Sequence, residues 1–160
     1  MNIRVGHGVD IHQLKENIPL VLAGINIKSS FGIVGHSDGD VVIHSLVDSI
    51  LGALSKGDIG TFFPSSDDRW KNANSSIFLD YTVTLMEKEN YKISNIDINI
   101  ILEKPFLNNY ILSMRKNLSN IMNIDYDFVS IKATTSDKLG FIGNKEGIMA
   151  TSTVLLVSSK

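Results

Sequence analysis

The sequence predicts a single α+β domain over residues 1–160, in which a mixed β-sheet is backed by helices. A chain of 160 residues fits one domain and is long enough to bury a substantial core. Its composition, 43% hydrophobic and 20% charged, is ordinary for a globular protein. Segments of strand type interleave with segments of helical period without a strict βαβ repeat, and this favours a mixed sheet.

The N-terminal part is predicted to be rich in strands. We expect a first strand from Ile3 to His12. Residues 18–27 indicate a pair of short strands, broken at Ala23 and Gly24.

A helix is predicted after Asp40, where apolar residues recur at helical spacing. We expect Ser37 or Asp38 as its N-cap and Gly57 as its stop. An acidic residue at a helix start also complements the helix dipole, which explains one of Asp38 and Asp40. The apolar positions of this helix are Ile43, Leu46, Val47, Ile50, Leu51 and Leu54.

Two further helices are predicted at about residues 75–90 and 109–122. Between them, residues 96–102 alternate as a strand with one buried face, and residues 129–133 alternate likewise. The closing segment, residues 147–159, is apolar or small on both faces and should be covered on both sides. Another subunit could supply the second cover.

Charge and composition limit the classes of partner. A formal net charge of −2 gives no general attraction for nucleic acid or anionic membranes, so a phosphate-bearing ligand must be held by local chemistry. Without cysteine, metal ligands must be His, Asp or Glu. No segment approaches the ~20 apolar residues that span a bilayer. We expect a cytoplasmic protein with no nucleic-acid or membrane partner.

The spacing of Asp10, His12 and His44 indicates a metal site. Two residues at i and i+2 of a strand point to the same side, and a helix can supply the third ligand from its polar face. An Asp, His, His set leaves one tetrahedral position open, as expected for a catalytic zinc. His7 alternates to the other side. Spacing alone leaves open whether the strand and the helix converge, and a lone histidine is more often an ordinary hydrogen-bonding residue.

Residues 132–141 (KATTSDKLGF) indicate a second polar site. A predicted strand ends in Thr134, Thr135 and Ser136, whose hydroxyls and backbone amides can cradle phosphate. Asp137 could hold Mg²⁺ that bridges phosphates. An ordinary Ser/Thr turn is the competing interpretation. Asp58 likewise either supports a turn or binds the hydroxyls of a polyol.

Taken together, four segments resemble the 2-C-methyl-D-erythritol 2,4-cyclodiphosphate synthase family of the non-mevalonate isoprenoid pathway. They stand in family order and with family-like spacing, which makes the set highly specific, and the match covers nearly the whole chain. The segments are RVGHGVDIH (4–12), GHSDGDVVIHSLVDSILGALSKGDIGTFFP (35–64), EKPFL (103–107) and IKATTSDKLGFIGNKEGI (131–148).

The resemblance implies a reaction and its metals. In this family, 4-diphosphocytidyl-2-C-methyl-D-erythritol 2-phosphate closes to the cyclic diphosphate and releases CMP. Zn²⁺ would be bound by Asp10, His12 and His44, one ion per subunit. Mg²⁺ or Mn²⁺ would accompany the substrate diphosphate, with Asp137 as ligand. The family positions that stabilise the transition state are His36 and Thr135.

The resemblance also implies where the substrate binds. Active sites would lie between adjacent subunits of a homotrimer, with the metal and the sugar phosphate on one chain and the cytidine pocket on the next. The sugar-phosphate side matches Ser37, Asp58, Ile59, Gly60, Phe63 and Asp67. The cytidine side matches Leu102, Pro105, Phe106, Leu107, Asn108, Ala133, Thr134 and Thr135. Further substrate-binding positions are Ser136, Phe141 and Asn144.

Three positions depart from the family pattern. Asp137 stands where glutamate is usual, and its side chain is one methylene shorter. Ser65 stands where an acidic residue is usual, which makes Asp67 the expected polar contact. Asn144 stands where an arginine associated with phosphate contacts is common.

Two other classes of function are compatible with single motifs. One is a zinc-containing nucleotide-binding module without catalysis. The pairing of His36 with the hydroxyl residues Thr134–Ser136 argues against it, because a passive binder needs no groups aimed at a transferring phosphate. The other is a zinc hydrolase, and the lack of a clear general base beside the metal ligands argues against that.

Overall fold

The structure, a computed structural model, describes residues 2–159. Within that range a main sheet has the strand order β4-β1-β7-β5-β6, and β2 and β3 form a separate hairpin. The strands are β1 (Ile3–Glu16), β2 (Leu20–Leu22), β3 (Ile25–Ile27), β4 (Phe31–Ile33), β5 (Tyr91–Ile101), β6 (Val129–Thr134) and β7 (Gly147–Ser158). The helices are α1 (Val41–Ala53), α2 (Ile59–Phe62), α3 (Ser76–Lys88), α4 (Ile111–Met122) and α5 (Gly140–Gly143).

The main sheet is mixed, as predicted. β1 pairs antiparallel with β4 and β7, β5 pairs antiparallel with β7, and β5 pairs parallel with β6. Helix α1 packs on β1 and β7, α3 packs beside α1, and α4 packs against β6. The helices therefore back the sheet in an α+β arrangement. Across residues 2–159, we find no helix with the length and apolar character needed to cross a bilayer.

The face of β1 turned away from α1 is open and apolar. Ile3, Val5, Val9 and Ile11 are 52%, 66%, 42% and 51% exposed. The closing strand β7, for which we expected cover on both sides, shares this asymmetry: Ile148, Ala150 and Val154 are buried, whereas Thr153 between them is exposed. Within one chain, only the helical side of this region is covered.

Two glycines on the covered face of β1 bring α1 unusually close. A Cβ atom at Gly6 would lie 1.7 Å from the carbonyl oxygen of Ser49, and one at Gly8 would lie 2.0 Å from that of Ser45. No other residue type fits this approach of helix backbone to strand. The buried Ser152 of β7 fastens the same turn of α1, because its hydroxyl donates to the Ser45 carbonyl at 2.7 Å.

Asp40, and not Ser37 or Asp38, is the N-cap of α1. Its Oδ1 accepts from the N–H groups of Val42 and Ile43 at 3.1 Å each, which satisfies free donors at the helix start. The same carboxylate accepts from Ala23 at 2.9 Å and Gly24 at 2.6 Å, in the β2–β3 turn. Burial raises the pKa of Asp40 to about 6, and these backbone donors oppose the rise.

Several boundaries differ from the sequence prediction. β1 continues to Glu16 because its last three residues pair with β4, and β5 begins at Tyr91 because its first residues pair with the long strand β7. α1 ends at Ala53 with Leu54 as its C-cap, before the predicted stop at Gly57. β4, α2 and α5 were not predicted. They hold three or four residues each, too few for a periodic pattern to be visible.

Replacement of Gly6 by alanine should destabilise the fold, because its methyl group has no space against the α1 backbone. We expect a loss of about 3 kcal/mol in the free energy of unfolding, measured by urea denaturation. Gly52→Ala is the matched control: a Cβ at this helical position meets nothing within 4 Å, so this variant should gain about 0.5 kcal/mol. Equal stability of Gly6→Ala and the native chain would contradict the close approach.

Candidate active site

Asp10, His12 and His44 converge at the end of the β1–α1 contact. Asp10 and His12 follow Gly8 on the covered face of β1, and His44 lies in the first turn of α1 above them. The Oδ2 atom of Asp10 lies 3.1 Å from Nε2 of His12 and 3.1 Å from Nδ1 of His44. One ligand atom from each residue lies within 4.8 Å of the others. The structure thus brings together three candidate ligands, a convergence that sequence spacing alone could not establish.

His7 lies on the opposite face of β1, as the alternation predicts. Its side chain is exposed, and Nδ1 lies 3.1 Å from the Thr153 hydroxyl on β7. It faces away from the cluster of Asp10, His12 and His44.

The outer nitrogen of each imidazole in the cluster has its own partner. Nδ1 of His12 donates to the carbonyl of Val34 at 2.8 Å. Nε2 of His44 lies 2.8 Å from the buried Ser75 hydroxyl. That hydroxyl donates to the Asp38 carboxylate, which also accepts from the Ser75 N–H at 2.9 Å, so we assign the donor role to Nε2 of His44. In the neutral imidazoles the remaining nitrogens then present lone pairs to Asp10, and only the protonated rings donate hydrogen bonds to it.

Electrostatics favour a cation at this point. Burial opposes ionisation of Asp10, but hydrogen bonds and charge from His12 and His44 outweigh it and lower its pKa to about 2. The hydrogen bond to Asp10 raises the pKa of His12. A carboxylate and two imidazole lone pairs converge within hydrogen-bond range, and such a set requires a proton or a metal ion between them. The donor set therefore fits a metal ion.

A cavity of about 240 Å³ adjoins the cluster. It contains most of the residues that the resemblance implies for a sugar phosphate, and its wall is aromatic, with the Phe63 and Phe78 rings stacked at 4.4 Å. The side chain of His36 reaches the cavity while its Nε2 lies 3.3 Å from the Asp67 carbonyl oxygen. The lining residues are Asp10, His12, His36, Ser37, His44, Ile59, Gly60, Phe63, Ser65, Trp70 and Phe78.

Two acidic residues expected at this cavity have other contacts. Asp58 caps α2, because its Oδ1 accepts from the N–H and the hydroxyl of Thr61 at 2.9 Å each. Within a single chain, Asp58 therefore supports a turn. The Asp67 carboxylate binds the guanidinium of Arg69, with Oδ2 at 2.6 Å from Nη2. Neither lines the cavity. Asp48 on α1 holds Ile59, a residue of the cavity wall, by accepting from its N–H at 2.7 Å.

A second cavity, of about 290 Å³, lies where the parallel strands β5 and β6 end. Carboxyl ends of parallel strands are common ligand sites, because the following loops diverge there. The Leu102 N–H donates to the Thr134 carbonyl at 3.0 Å and joins the two strand ends. The lining residues are Leu102, Pro105, Phe106, Leu107, Asn108, Ala133, Thr134 and Thr135, all of them expected on the cytidine side.

Besides Asp58 and Asp67, four expected site residues lie outside both cavities. Ser136 and Asp137 follow Thr135 in an exposed loop, and Asp137 has a left-handed backbone with φ of 54°. Phe141 lies in α5 and is 44% exposed. Asn144 is the C-cap of the same helix, and its N–H donates to the Gly140 carbonyl.

The two cavities flank the same end of the sheet but not the same strand. Across the sheet, Asp10 of β1 pairs with Ala150, which pairs with Ile100, which pairs with Ala133 of β6. Three strand spacings, about 14 Å, separate β1 from β6. A single chain therefore does not bring Thr135 and Asp137 to the cluster.

Sequence reasoning missed several residues of the site. Ser75 was expected only as a helix start, and Asp38 only as a cap, whereas both orient His44. Trp70 and Phe78 line the first cavity, yet their spacing from Phe63 shows no motif. The fully buried position of the polar Ser75 is a signal that only the structure reveals.

A metal-fitting cluster and two ligand cavities on a small α+β domain define a candidate metal-dependent enzyme acting on a small molecule. Comparison with known proteins agrees. The chain belongs to the YgbB family, whose model matches residues 3–157. This confirms the resemblance stated from the sequence motifs.

Named relatives cover nearly the whole chain. A Brachyspira hyodysenteriae protein named 2-C-methyl-D-erythritol 2,4-cyclodiphosphate synthase is 52% identical over 158 residues, covering 99% of this chain and 100% of that protein. A Buchnera aphidicola protein of the same name is 48% identical over 99% of this chain and 95% of that protein.

Solved structures share the fold. A Plasmodium falciparum structure described as IspF in a CDP complex has a TM-score of 0.89 at 42% identity, covering 99% of this chain and 98% of that one. The bifunctional IspDF of Campylobacter jejuni has a TM-score of 0.95 at 41% identity over 98% of this chain. The present chain spans only 42% of that longer protein.

Replacement of Ser75 by alanine should weaken metal binding, because Nε2 of His44 loses its nearer acceptor at 2.8 Å and keeps only the Ser37 hydroxyl at 3.2 Å. We expect zinc affinity, measured by calorimetry at pH 7, to fall about 10- to 100-fold. Ser49→Ala is the matched control, because Ser49 is equally buried but its hydroxyl donates to the Leu46 carbonyl at 2.7 Å, away from the cluster. Equal affinities for both variants would contradict the role of Ser75.

Proposed function

We propose that this chain catalyses the reaction for which its relatives are named. It converts 4-diphosphocytidyl-2-C-methyl-D-erythritol 2-phosphate to 2-C-methyl-D-erythritol 2,4-cyclodiphosphate and releases CMP, as a phosphorus–oxygen lyase of isoprenoid biosynthesis. The observation that carries the proposal is the convergence of Asp10, His12 and His44 beside a cavity that also contains His36. Two relatives that bear this name match at 52% and 48% identity over 100% and 95% of their lengths.

The reaction is an internal phosphoryl transfer. An oxygen of the 2-phosphate forms a bond to the β-phosphorus of the diphosphate. The bond from that phosphorus to the bridging oxygen breaks, and its electron pair leaves with the α-phosphate as CMP. Water is not consumed, and no protein nucleophile is needed. Because two anions must approach each other, the protein mainly aligns the phosphates and neutralises their charge.

Zn²⁺ is the proposed ion at Asp10, His12 and His44. A carboxylate with two imidazoles suits zinc and leaves a position open for substrate. When bound, the ion supplies Lewis-acid stabilisation of charge on a phosphate oxygen. The Val34 carbonyl and the Ser75 hydroxyl hold the two imidazole rings in the orientation that this requires.

His36 and Thr135 are proposed to donate hydrogen bonds to phosphate oxygens as charge develops. His36 reaches the first cavity, and the exposed Thr135 lines the second. Mg²⁺ or Mn²⁺ is proposed to accompany the diphosphate, with Asp137 as the protein ligand. Asp137 is exposed, and its N–H lies 3.3 Å from the Thr135 hydroxyl oxygen, so both residues belong to one loop.

The two cavities are proposed to divide the substrate between them. The aromatic wall of Phe63, Trp70 and Phe78 suits the methylerythritol carbon skeleton, while Ser37, Ile59 and Gly60 offer polar and backbone groups beside it. The second cavity takes cytidine, largely through backbone groups. The likeness to a structure described as a CDP complex supports this assignment.

A homotrimer with shared active sites is proposed as the assembly. The exposed apolar face of β1 calls for cover, and the cavities lie at the same end of the sheet on opposite sides. A three-fold ring would place the second cavity of one copy against the cluster of the next. The cytoplasmic location and the lack of nucleic-acid and membrane partners stay predictions from the sequence.

Incubation with the cytidyl substrate, Zn²⁺ and Mg²⁺ should yield equal amounts of CMP and cyclic diphosphate, identified by mass spectrometry. Because the 2-phosphate and not water attacks the β-phosphorus, each CMP released leaves one cyclic product with no water added. CMP with a linear diphosphate would instead indicate the zinc hydrolase, and binding without turnover would indicate the nucleotide-binding module. Either result would overturn the proposal.

Mixing two inactive variants should restore activity if subunits share the site. His44→Ala removes a proposed metal ligand, Thr135→Ala removes a donor from the other cavity, and each alone should lose turnover. When trimers assemble at random from equal amounts, a shared site is intact only if each of its two subunits contributes the half that is not mutated. The probability is one-half times one-half, so we expect about a quarter of native activity. If each site lay within one chain, every site would carry one defect and the mixture would stay inactive.

A further inference from the structure

Glu103 joins the two loops that form the second cavity. It lies two residues after the end of β5, and its Oε1 faces the loop that follows β6. This oxygen accepts from the backbone N–H of Ser136 at 2.9 Å and from that of Lys138 at 3.1 Å. The Ser136 hydroxyl lies 3.0 Å from the same oxygen and 2.8 Å from the Leu139 carbonyl, and its single hydrogen serves one of them at a time. The two amides are therefore the defining contacts.

The loop held by Glu103 has an uncommon backbone. Asp137 and Lys138 have φ of 54° and 63°, in the left-handed region that residues with a Cβ atom rarely occupy. Such a conformation persists only where surrounding contacts fix it. The residues on either side of Ser136 are Thr135 and Asp137, the proposed phosphate donor and the proposed magnesium ligand. Contacts that fix this loop therefore fix those two groups.

The carboxylate of Glu103 would repel a phosphate if it pointed into the second cavity, so its contacts with the loop matter. The Lys138 N–H, with further donation from Ser136, lowers the pKa of Glu103, so the group is ionised at neutral pH. Its contacts are to the loop backbone and not to the cavity, whose lining residues do not include it. A role in holding the loop fits this geometry, whereas direct contact with an anionic substrate does not.

We propose that Glu103 is a positioning residue that fastens the loop of residues 135–138 to the end of β5, so that Thr135 and Asp137 are in place before substrate binds. The inference rests on the proposed function, because it assigns Thr135 and Asp137 to the phosphates. It adds a link between the second cavity, proposed to bind cytidine, and the two residues proposed to act on the diphosphate. A carboxylate or an amide oxygen can serve, because the acceptor matters and the charge does not.

The test compares Glu103→Ala and Glu103→Gln with the native chain. In the alanine variant kcat should fall about 30-fold while KM changes less than about threefold, because the loop loses its alignment but Thr135 is its only residue in the cavity wall. The glutamine variant keeps an oxygen acceptor and should recover kcat to within about threefold. Hydrogen exchange at the Ser136 and Lys138 amides should accelerate about tenfold or more in the alanine variant only.

Controls separate positioning from a general loss of stability. Glu87→Ala removes an exposed glutamate from α3 and should change none of these quantities. Zinc affinity of Glu103→Ala should match that of the native chain, because the strand that carries the cluster lies about 14 Å away across the sheet. The kcat of this variant is measured well below its melting temperature, so that unfolding does not contribute to the loss. A kcat unchanged in Glu103→Ala would overturn the proposal, and so would a glutamine variant as impaired as the alanine variant.

Failure of the proposed function would be distinguishable. If the native chain releases no CMP from the cytidyl substrate, the reaction is wrong. The amide exchange of the alanine and glutamine variants still decides whether Glu103 holds the loop. If the native chain turns over and exchange at Ser136 and Lys138 is the same in all variants, only the role of Glu103 fails.

Discussion

The contact of α1 with β1 is the constraint on which the rest of the site depends. Because Gly6 and Gly8 have no side chains, the backbone of α1 lies against the strand at a distance that a methyl group would prevent. Two residues further along the same face, the pleat turns Asp10 and His12 toward the first turn of the helix, where His44 lies. The cluster is a consequence of helix placement, and Asp40 secures that placement by tying the helix start to the β2–β3 turn.

Strand alternation and helical periodicity predicted the features that depend on residues close together in the sequence. Strand parity placed Asp10 and His12 on one side and His7 on the other, and helical period placed α1. The convergence of His44 with them could not be predicted, because it depends on how far α1 slides along β1. Likewise, Ser37 or Asp38 was predicted as the cap of α1, whereas the cap is Asp40, whose carboxylate also binds the distant Ala23 and Gly24. The roles of Ser75 and Glu103 arise from the same kind of long-range contact.

The molecule separates two chemical tasks across its sheet. The strand that carries Asp10 and His12 lies on one side of β7 and β5, and the strand end that carries Thr135 lies on the other. The candidate metal ligands lie under a helix, where burial strengthens their electrostatic interactions. The hydroxyl and carboxylate groups of residues 134–137 sit on an exposed loop. The open apolar face of β1 supports the proposed assembly, because exposed apolar patches mark interaction surfaces.

Trp70 gives the molecule a built-in optical signal. It is the only tryptophan of the chain, and it lies on the wall of the first cavity with its ring 5.2 Å from that of Phe63 and 5.7 Å from that of Phe78. Phe78 in turn lies 6.2 Å from the imidazole of His44. Indole emission depends on the polarity and charge of its surroundings, so ligands that enter this cavity change the environment of a single fluorophore. Occupancy of the cavity can therefore be followed by intrinsic fluorescence, without a label.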